Sequence, residues 1–375
     1  MHANAERTLR VIEPNLAGPS GHYAEFVRAL AARGGAWFDR IEVAAAERAG
    51  EAFTGEDAGA AGARIVVRPV FGAGAWRREL AEQRDALRAA EPTLLLTSRA
   101  VHALALEALA RTMRGGDEAL GRIRLYFHWC ERSRAQRAMM AAAPRVRANA
   151  VAIAPTPTIV QFLRELGWAK VVPVAYPILA PATVPPPAPF THLLMAGAAR
   201  MNKGLDLVAG LAEQYAAQGR ATRLVVQTTP KRVSGRRGGR EETEVARLLA
   251  SGAPGLEASD RAPPSAEYGA RFVGALVLAP YEPAAFADNV SGVVLDGLLR
   301  GAPVVASAGS WPGRVVERYG AGAVFAQRTA QDFAQAIDRV LSDWDGACAR
   351  AQRAARELAA EHDPAHLARA LATGA

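Results

Sequence analysis

The stretch 275–312, ALVLAPYEPAAFADNVSGVVLDGLLRGAPVVASAGSWP, constrains this chain more than any other. Its apolar run Ala275–Ala279 has the length of a buried parallel strand and is closed by Pro280. A loop follows with Tyr281, Glu282 and Asp288. The spacing then predicts a helix from Gly292, capped by Ser291, with Val294, Leu295, Leu298 and Leu299 along one side. Gly301 ends that helix, and 303–306 reads as the next buried strand. A strand, a polar loop and a helix N-terminus make an anion site, because unpaired N–H groups and the helix dipole converge there. Asp288 sits in the loop and Asp296 about a turn into the helix, so both carboxylates can border one cleft. By spacing alone, the pattern also fits any doubly wound α/β unit with two surface acids.

The remaining chain is long enough to repeat such a unit. At 375 residues it holds two ordinary domains with substantial cores. Half of the residues are apolar, which reads as globular, and no apolar run reaches the ~18 residues of a membrane span. The opening MHANAERTLRVIEP lacks the apolar centre of a signal peptide. Cys130 and Cys348 have neither metal nor redox spacing and fit a reducing compartment. These features together predict a cytoplasmic protein. The net charge of +8 favours anionic partners such as nucleotide diphosphates or lipid phosphates. Nucleic acid is not expected, since no binding motif or interleaved aromatics accompany the charge.

The first half alternates strands and helices. Strands are predicted at 8–12, 41–45, 65–70, 93–96, 123–127 and 151–154, with helices over 22–32 and 76–90. Such alternation implies a parallel sheet wrapped on both faces, with ligands at the carboxyl ends of its strands. The first loop, EPNLAGPSGHY, has Gly18 and Gly21 but not the spacing of a dinucleotide fingerprint, which disfavours a nicotinamide enzyme. It reads as a simple turn or as a loop at the site. His128 follows the strand IRLYF on the rim of that sheet, and His22 opens the first helix. A neutral imidazole at either place exchanges hydrogen bonds without charge, or simply helps cap a helix. Arg132, Arg134 and Arg137 read as a solvated helix face.

Residues 171–189 hold seven prolines and no charge, which makes a semi-rigid connector. The expected domains are therefore 1–170, the linker 171–189, 190–350, and a last helix over 351–375 with the length to cross back to the first domain. The second domain opens HLLMAGAARMNKGLDL: a strand to Ala196, a loop, and a helix opened by Lys203 and ending near Gly219. Further on, TPKRVSGRRGGRE places Lys231, Arg232, Arg236, Arg237 and Arg240 among glycines. It reads as a solvated basic loop or as a clamp for an anionic acceptor or membrane surface.

The signature tail LDGLLRGAPVVAS resembles that of the retaining, nucleotide-sugar-dependent glycosyltransferases of the GT-B fold. This is the large group (glycosyl transferases group 1) that includes sucrose and glycogen synthases and many bacterial polysaccharide enzymes. That group carries two glutamates with seven residues between them, then a small residue, Gly and Pro-Val-Val. Here the same spacing separates Asp288 and Asp296, each one methylene shorter. The opening of the second domain is similar too: a strand ends in Gly197, and a Lys-Gly pair begins the helix six residues later. Lys203 matches the lysine that grips the donor diphosphate. The arginine usual after the glycine is Ala198 here, and Arg200 stands two residues on.

The resemblance implies an α/β protein of two facing Rossmann-like domains, GT-B, with the active site in the interdomain cleft. It implies a transferase that moves a sugar, with retention, from a nucleotide-activated donor to a saccharide, glycolipid or lipid-linked acceptor, in bacterial cell-surface polysaccharide or glycolipid assembly. Lys203 and Arg200 would meet the diphosphate, with backbone at Val290, Ser291 and Gly292 and, more loosely, the first loop at Gly18 and Gly21. Asp296 would accept from the ribose hydroxyls, while Asp288 and His128 would act at the transferred sugar; Glu282 is an alternative to Asp288. No metal or other cofactor is implied. A peripheral contact with an anionic membrane at its inner face fits the charge. The alternative is a non-catalytic binding or scaffold protein, which shortened acids and the missing arginine would suit.

Overall fold

The computed structural model describes residues 6–18, 21–53, 62–72, 75–229 and 238–375. Lys231, Arg232, Arg236 and Arg237 of the basic loop lie outside the described residues, and Arg240 lies in a helix. The chain divides into two compact units, one running to Leu179 and taking in His362–Ala375, the other Ala180–Glu361.

In the first unit the chain runs β1 (Thr8–Glu13), α1 (His22–Gly34), β2 (Arg40–Ala46), β3 (Arg64–Phe71), α2 (Ala75–Arg88), β4 (Thr93–Leu95), α3 (Ala100–Arg111) and α4 (Gly116–Leu120). It continues as β5 (Ile123–Tyr126), α5 (Arg134–Ala141), α6 (Pro144–Asn149), β6 (Val151–Ala154), α7 (Pro157–Glu165) and β7 (Lys170–Pro173). These strands form one parallel sheet in the order β3-β2-β1-β4-β5-β6-β7. Strands β4, β5 and β6 are buried at every position, as a parallel sheet covered on both faces requires. Leu9, Val11, Ile41 and Val43 pack with Phe26 and Leu30 of α1 in one layer. Leu95, Leu125 and Phe127 pack with Leu106 and Leu163 in another.

The second unit repeats the plan: β8 (His192–Met195), α8 (Leu205–Ala217), β9 (Leu224–Gln227), α9 (Gly238–Ala250), β10 (Leu256–Ser259), α10 (Ser265–Ala270) and β11 (Ala275–Ala279). Then come α11 (Gly292–Leu299), β12 (Val304–Ser307), α12 (Trp311–Tyr319), β13 (Gly322–Phe325), α13 (Ala330–Ser342) and α14 (Trp344–Glu361). Its parallel order is β10-β9-β8-β11-β12-β13. Leu193, Met195, Leu276, Leu278 and Val305 carry a core completed by Leu205, Val208, Phe333 and Ile337. A last helix, α15 (Pro364–Thr373), belongs to the first unit, with Leu367, Ala368 and Leu371 buried in the same layer as α1. Arg33 pairs with Asp363 at 2.7 Å, and the His362 ring bonds the Tyr176 carbonyl at 2.7 Å.

Several boundaries differ from those read in sequence, each for a local reason. β7 occupies the first residues of the proline-rich segment, and the units part after Leu179. A strand at the edge of a sheet tolerates proline, which here sits at its last position. The first helix of the second unit, α8, starts after Lys203, at Leu205. Met201–Lys203 is a short tight turn, and Gly204 sits left-handed at φ 77° between the two. The chain end is broken at His362 and Asp363, where the Asp363 carboxylate accepts from the Ala365 N–H and Pro364 opens α15.

Candidate functional site

In each sheet the strand order reverses at one place, between β1 and β4 and between β8 and β11. Loops diverge from such a switch point and leave a crevice at the carboxyl ends of the strands. In the second unit, the loops after β8 and β11 carry the residues singled out by sequence.

The β8 loop begins at Gly197, left-handed at φ 80°, whose N–H donates to Gln227 Oε1 at 3.2 Å. A β-carbon on Gly197 would stand 3.3 Å from Lys203 Nζ and 3.2 Å from Val293 Cγ2. The bare glycine therefore lets the lysine ammonium and the first turn of α11 close on one point. Gly204 is equally constrained, since a side chain there would collide with the Pro280 carbonyl. The two loops are also joined directly, as the Glu282 N–H donates to the Asn202 carbonyl at 2.9 Å. Arg328 Nη1 donates to the Pro280 carbonyl at 2.9 Å, which holds the β11 end from the far side.

Electrostatically the crevice is unfinished. Lys203 is largely desolvated, and burial, with Arg200 nearby, pulls its pKa down to about 8. Its ammonium lies 5.5 Å from the Tyr281 ring centroid, and no ion pair reaches it among the described residues. Arg200 likewise has no ion pair among the described residues, and its Nε is buried without a hydrogen-bond partner. Two half-buried cations without an ion pair among the described residues leave a positive potential that an anion would satisfy. The N-terminus of α11 adds to it. Ser291 is buried and its hydroxyl accepts from the Val294 N–H at 3.3 Å. That cap leaves the earlier N–H groups, Gly292 and Val293, at the helix end with no partner inside the helix.

The two carboxylates are held differently. Asp296 lies in α11, where Oδ2 accepts from the Tyr268 hydroxyl at 3.0 Å and Oδ1 from Arg300 at 3.2 Å. Asp288 lies in the β11 loop, half-buried, and that loop is tied down at neighbouring positions. Asn289 donates to the Ala285 carbonyl at 2.6 Å, and Arg314 donates to the Ala287 carbonyl. Val290 is half-buried in the same loop, and Glu282 is exposed. Tyr281 is fully buried against Phe286, 4.5 Å between ring centroids, with its hydroxyl pKa pushed up to about 12 by burial.

On the rim of the first sheet, His128 follows β5 and is buried among rings. Its centroid lies 4.6 Å from Tyr126, 5.7 Å from Phe26, 5.9 Å from Tyr176 and 6.1 Å from His22. Burial, with His22 nearby, holds its pKa down to about 3, so the imidazole is neutral at physiological pH. Its Nε2 is buried with no hydrogen-bond partner among the described residues. Gly21 is left-handed at φ 100° just before α1, and open space faces the α-carbon of both Gly18 and Gly21. Residues that sequence reasoning passed over stand here too. Glu13 ends β1 fully buried, accepting from Thr97 Oγ1 at 2.5 Å and from Asn15 N–H at 2.9 Å. Burial raises its pKa. An acid directly after the apolar pair Val11 and Ile12, at the end of the strand, was the available signal. Tyr268 and Arg328 gave none.

No family model and no curated protein matches the sequence. The structure does have counterparts. Sucrose-phosphate synthase from Thermosynechococcus elongatus superposes with a TM-score of 0.65 at 16% identity, over 97% of this chain and 96% of that one. A glycosyltransferase from Rickettsia africae gives 0.67 at 12% identity, over 97% and 96%. HepE of Anabaena, solved in complex with UDP-glucose, gives 0.63 at 13% identity, over 98% of both chains. Likeness across nearly the whole of each chain establishes the two-domain α/β GT-B fold.

Proposed function

We propose that this chain is a nucleotide-sugar-dependent glycosyltransferase whose donor diphosphate binds in the second unit, between the β8 loop and the N-terminus of α11. The observation that carries this reading is Lys203: an ammonium lowered in pKa by burial, without an ion pair among the described residues, beside bare Gly197 and the first turn of a helix. Phosphate oxygens there would accept from Lys203, Arg200 and the N–H groups of Gly292 and Val293, in a place built to stabilise charge on a leaving diphosphate. HepE, of the same fold, was solved with UDP-glucose, and this supports a nucleotide-sugar as the ligand.

The other roles follow from placement. A carboxylate has about four acceptor positions, and Tyr268 and Arg300 hold that of Asp296 in place on α11. Its acceptor oxygens are assigned to the ribose hydroxyls. Asp288 is assigned to the transferred sugar. Neutral His128, with Nε2 unpartnered, is suited to exchanging a hydrogen bond with a hydroxyl without attracting charge. Retention would follow if the acceptor hydroxyl attacks the face from which the phosphate departs, with no protein nucleophile. A lipid-linked or saccharide acceptor, a role in cell-surface glycan assembly, a peripheral cytoplasmic location and independence from metal belong to the same proposal.

Titration calorimetry with UDP, GDP, ADP and dTDP tests it. At least one should bind well below millimolar, and Lys203→Ala should weaken that ligand by roughly 1.5–3 kcal/mol while barely changing the free nucleoside. Equal losses for both ligands would make Lys203 structural. The tethering of Asp296 to Tyr268 and Arg300 favours the second reading, a binding protein without turnover. Nucleotide binding without transfer to any acceptor would select it.

A further inference from the structure

Among the described residues, large apolar side chains stand exposed in one neighbourhood of the first unit. Trp76 is 65% exposed and Leu80 36% on α2, Val101 47% and Leu104 37% on α3, and Trp129 37% just after β5. The elements that carry them pack their inner sides into one core layer, on one side of the sheet. Trp76 and Leu80 are four residues apart, hence one above the other, as are Val101 and Leu104 at three. Glu79 of α2 meets His102 of α3 at 3.0 Å, so the helices lie side by side with these stripes flanking their seam. Trp129 lines a small pocket with Arg99 and Ala100 at the start of α3, which joins it to the same strip. Monomers rarely leave several large apolar side chains exposed in one neighbourhood without a use.

The charges around the strip say which use. The Arg77 guanidinium lies over the Trp76 ring, 5.2 Å from its centroid. Arg77, Arg78 and Arg99 are exposed and carry no ion pair among the described residues. Asp85 reaches Arg84 and Arg88 only at 3.7 and 3.8 Å. Glu79 is turned to His102, and Glu107 is buried beneath α3, bonded to Arg111 and the Arg145 N–H. Glu131 stands exposed beside Trp129, bonded to Gln136, so the cationic surplus lies along α2 and at the start of α3. Convex apolar side chains with tryptophans at the edge and arginines around them match the headgroup region of an anionic bilayer, where indoles sit at the boundary and guanidinium groups meet phosphates. No helix among the described residues is long and apolar enough to cross a membrane, so such attachment is peripheral.

We propose that the outer face of α2 and α3, with Trp129, docks the first unit on an anionic lipid surface. The N-termini of α2 and α3 lie at the carboxyl edge of the sheet, the edge that carries His128, so docking brings that rim to the headgroups. This rests on, and deepens, the reading of a lipid-linked acceptor, yet it is measured without turnover. The full chain is sedimented with vesicles of phosphatidylcholine alone and of phosphatidylcholine with phosphatidylglycerol. It should bind the anionic vesicles at least about tenfold more tightly, less so in high salt. Trp76→Ser with Leu80→Ser should cut that affinity at least about tenfold, as should Arg77→Glu with Arg78→Glu, with thermal midpoints little changed because Trp76, Arg77 and Arg78 are exposed and Leu80 is partly so. No vesicle binding, equal binding to both vesicles, or binding undiminished in both variants overturns the proposal; the last would put the contact elsewhere, such as residues 231–237. A dimer that dissolves in the Trp76 and Leu80 variant, without vesicle binding, also overturns it and gives the face to a second copy. UDP calorimetry on the same samples keeps the questions apart, since lost vesicle binding with nucleotide binding intact sinks the lipid surface alone.

Discussion

Lys203 combines a charge with an environment that disfavours it, and this has a measurable consequence. Its pKa is pulled down to about 8 when no anion is present. A bound diphosphate favours the ammonium and raises that value, so the complex holds more protons than the free protein above about pH 8. Affinity for a nucleoside diphosphate should therefore be full below that pH and fall as pH rises through it, by up to about tenfold per unit. In Lys203→Ala the dependence above pH 8 should flatten, and calorimetry at pH 7, 8 and 9 reads it. An unchanged slope in the variant would mean another group titrates. Gly204, next in the chain, tests the loop geometry itself. Its left-handed backbone and its closeness to the Pro280 carbonyl leave no room for a side chain. Gly204→Ala should lower stability by at least about 2 kcal/mol in denaturant unfolding. A loss of a few tenths would show that the β8 and β11 loops are not packed so closely.

At the scale of elements, α11 and the loop before it divide the work between two acids. Asp296 is fixed on a helix by Tyr268 and Arg300, whereas Asp288 rides on a loop. If Asp296 serves the ribose, Asp296→Ala should raise the donor Kd, and the loss should vanish with a 2′,3′-dideoxy nucleotide. Tyr268→Phe separates the direct effect from a loosened carboxylate. If Asp288 serves the sugar in the transition state, Asp288→Ala should leave diphosphate affinity nearly intact and lower turnover. Full activity in Asp288→Ala would end that assignment, and Glu282→Ala is then the variant to measure. The elements themselves show how far sequence reaches. Buried strands such as Ala275–Ala279 and the Ser291 cap were legible, because an apolar run and an N-cap act within a few residues. α12 and β13 were not. α12 has Pro312 and Gly313 in its first turn, residues that usually mark loops, and β13 is a four-residue strand, Gly322–Phe325, too short to show a period. The partners of Asp296 were equally hidden, since Tyr268 lies 28 residues away and only the folded sheet brings it near.

At the scale of the whole molecule, connectivity makes one unit contiguous and the other not. Ala180–Glu361 is a single segment with its own sheet and core, while the first unit needs His362–Ala375 from the far end of the chain. The α/β alternation announced two such units, but which core the last helix joins depends on tertiary packing. Leu367 and Leu371 are fully buried in the layer that holds Leu30 and Phe26, and Asp363 is held by Arg33. Removing a buried leucine side chain costs about 2–5 kcal/mol, comparable with much of a domain's stability of roughly 5–15 kcal/mol. The double variant Leu367→Ala with Leu371→Ala should therefore unfold the first unit early and split one thermal transition into two. The later transition should match that of an isolated 180–361 fragment, because none of the substituted residues belongs to it. That fragment should also bind the nucleoside diphosphate with close to full-length affinity, since Lys203, Arg200, Ser291 and Asp296 all lie within it. Scanning calorimetry of the variant and nucleotide titration of the fragment test both statements. A fragment that folds but does not bind would require donor contacts from the first unit, and the diphosphate site would then have to be redrawn.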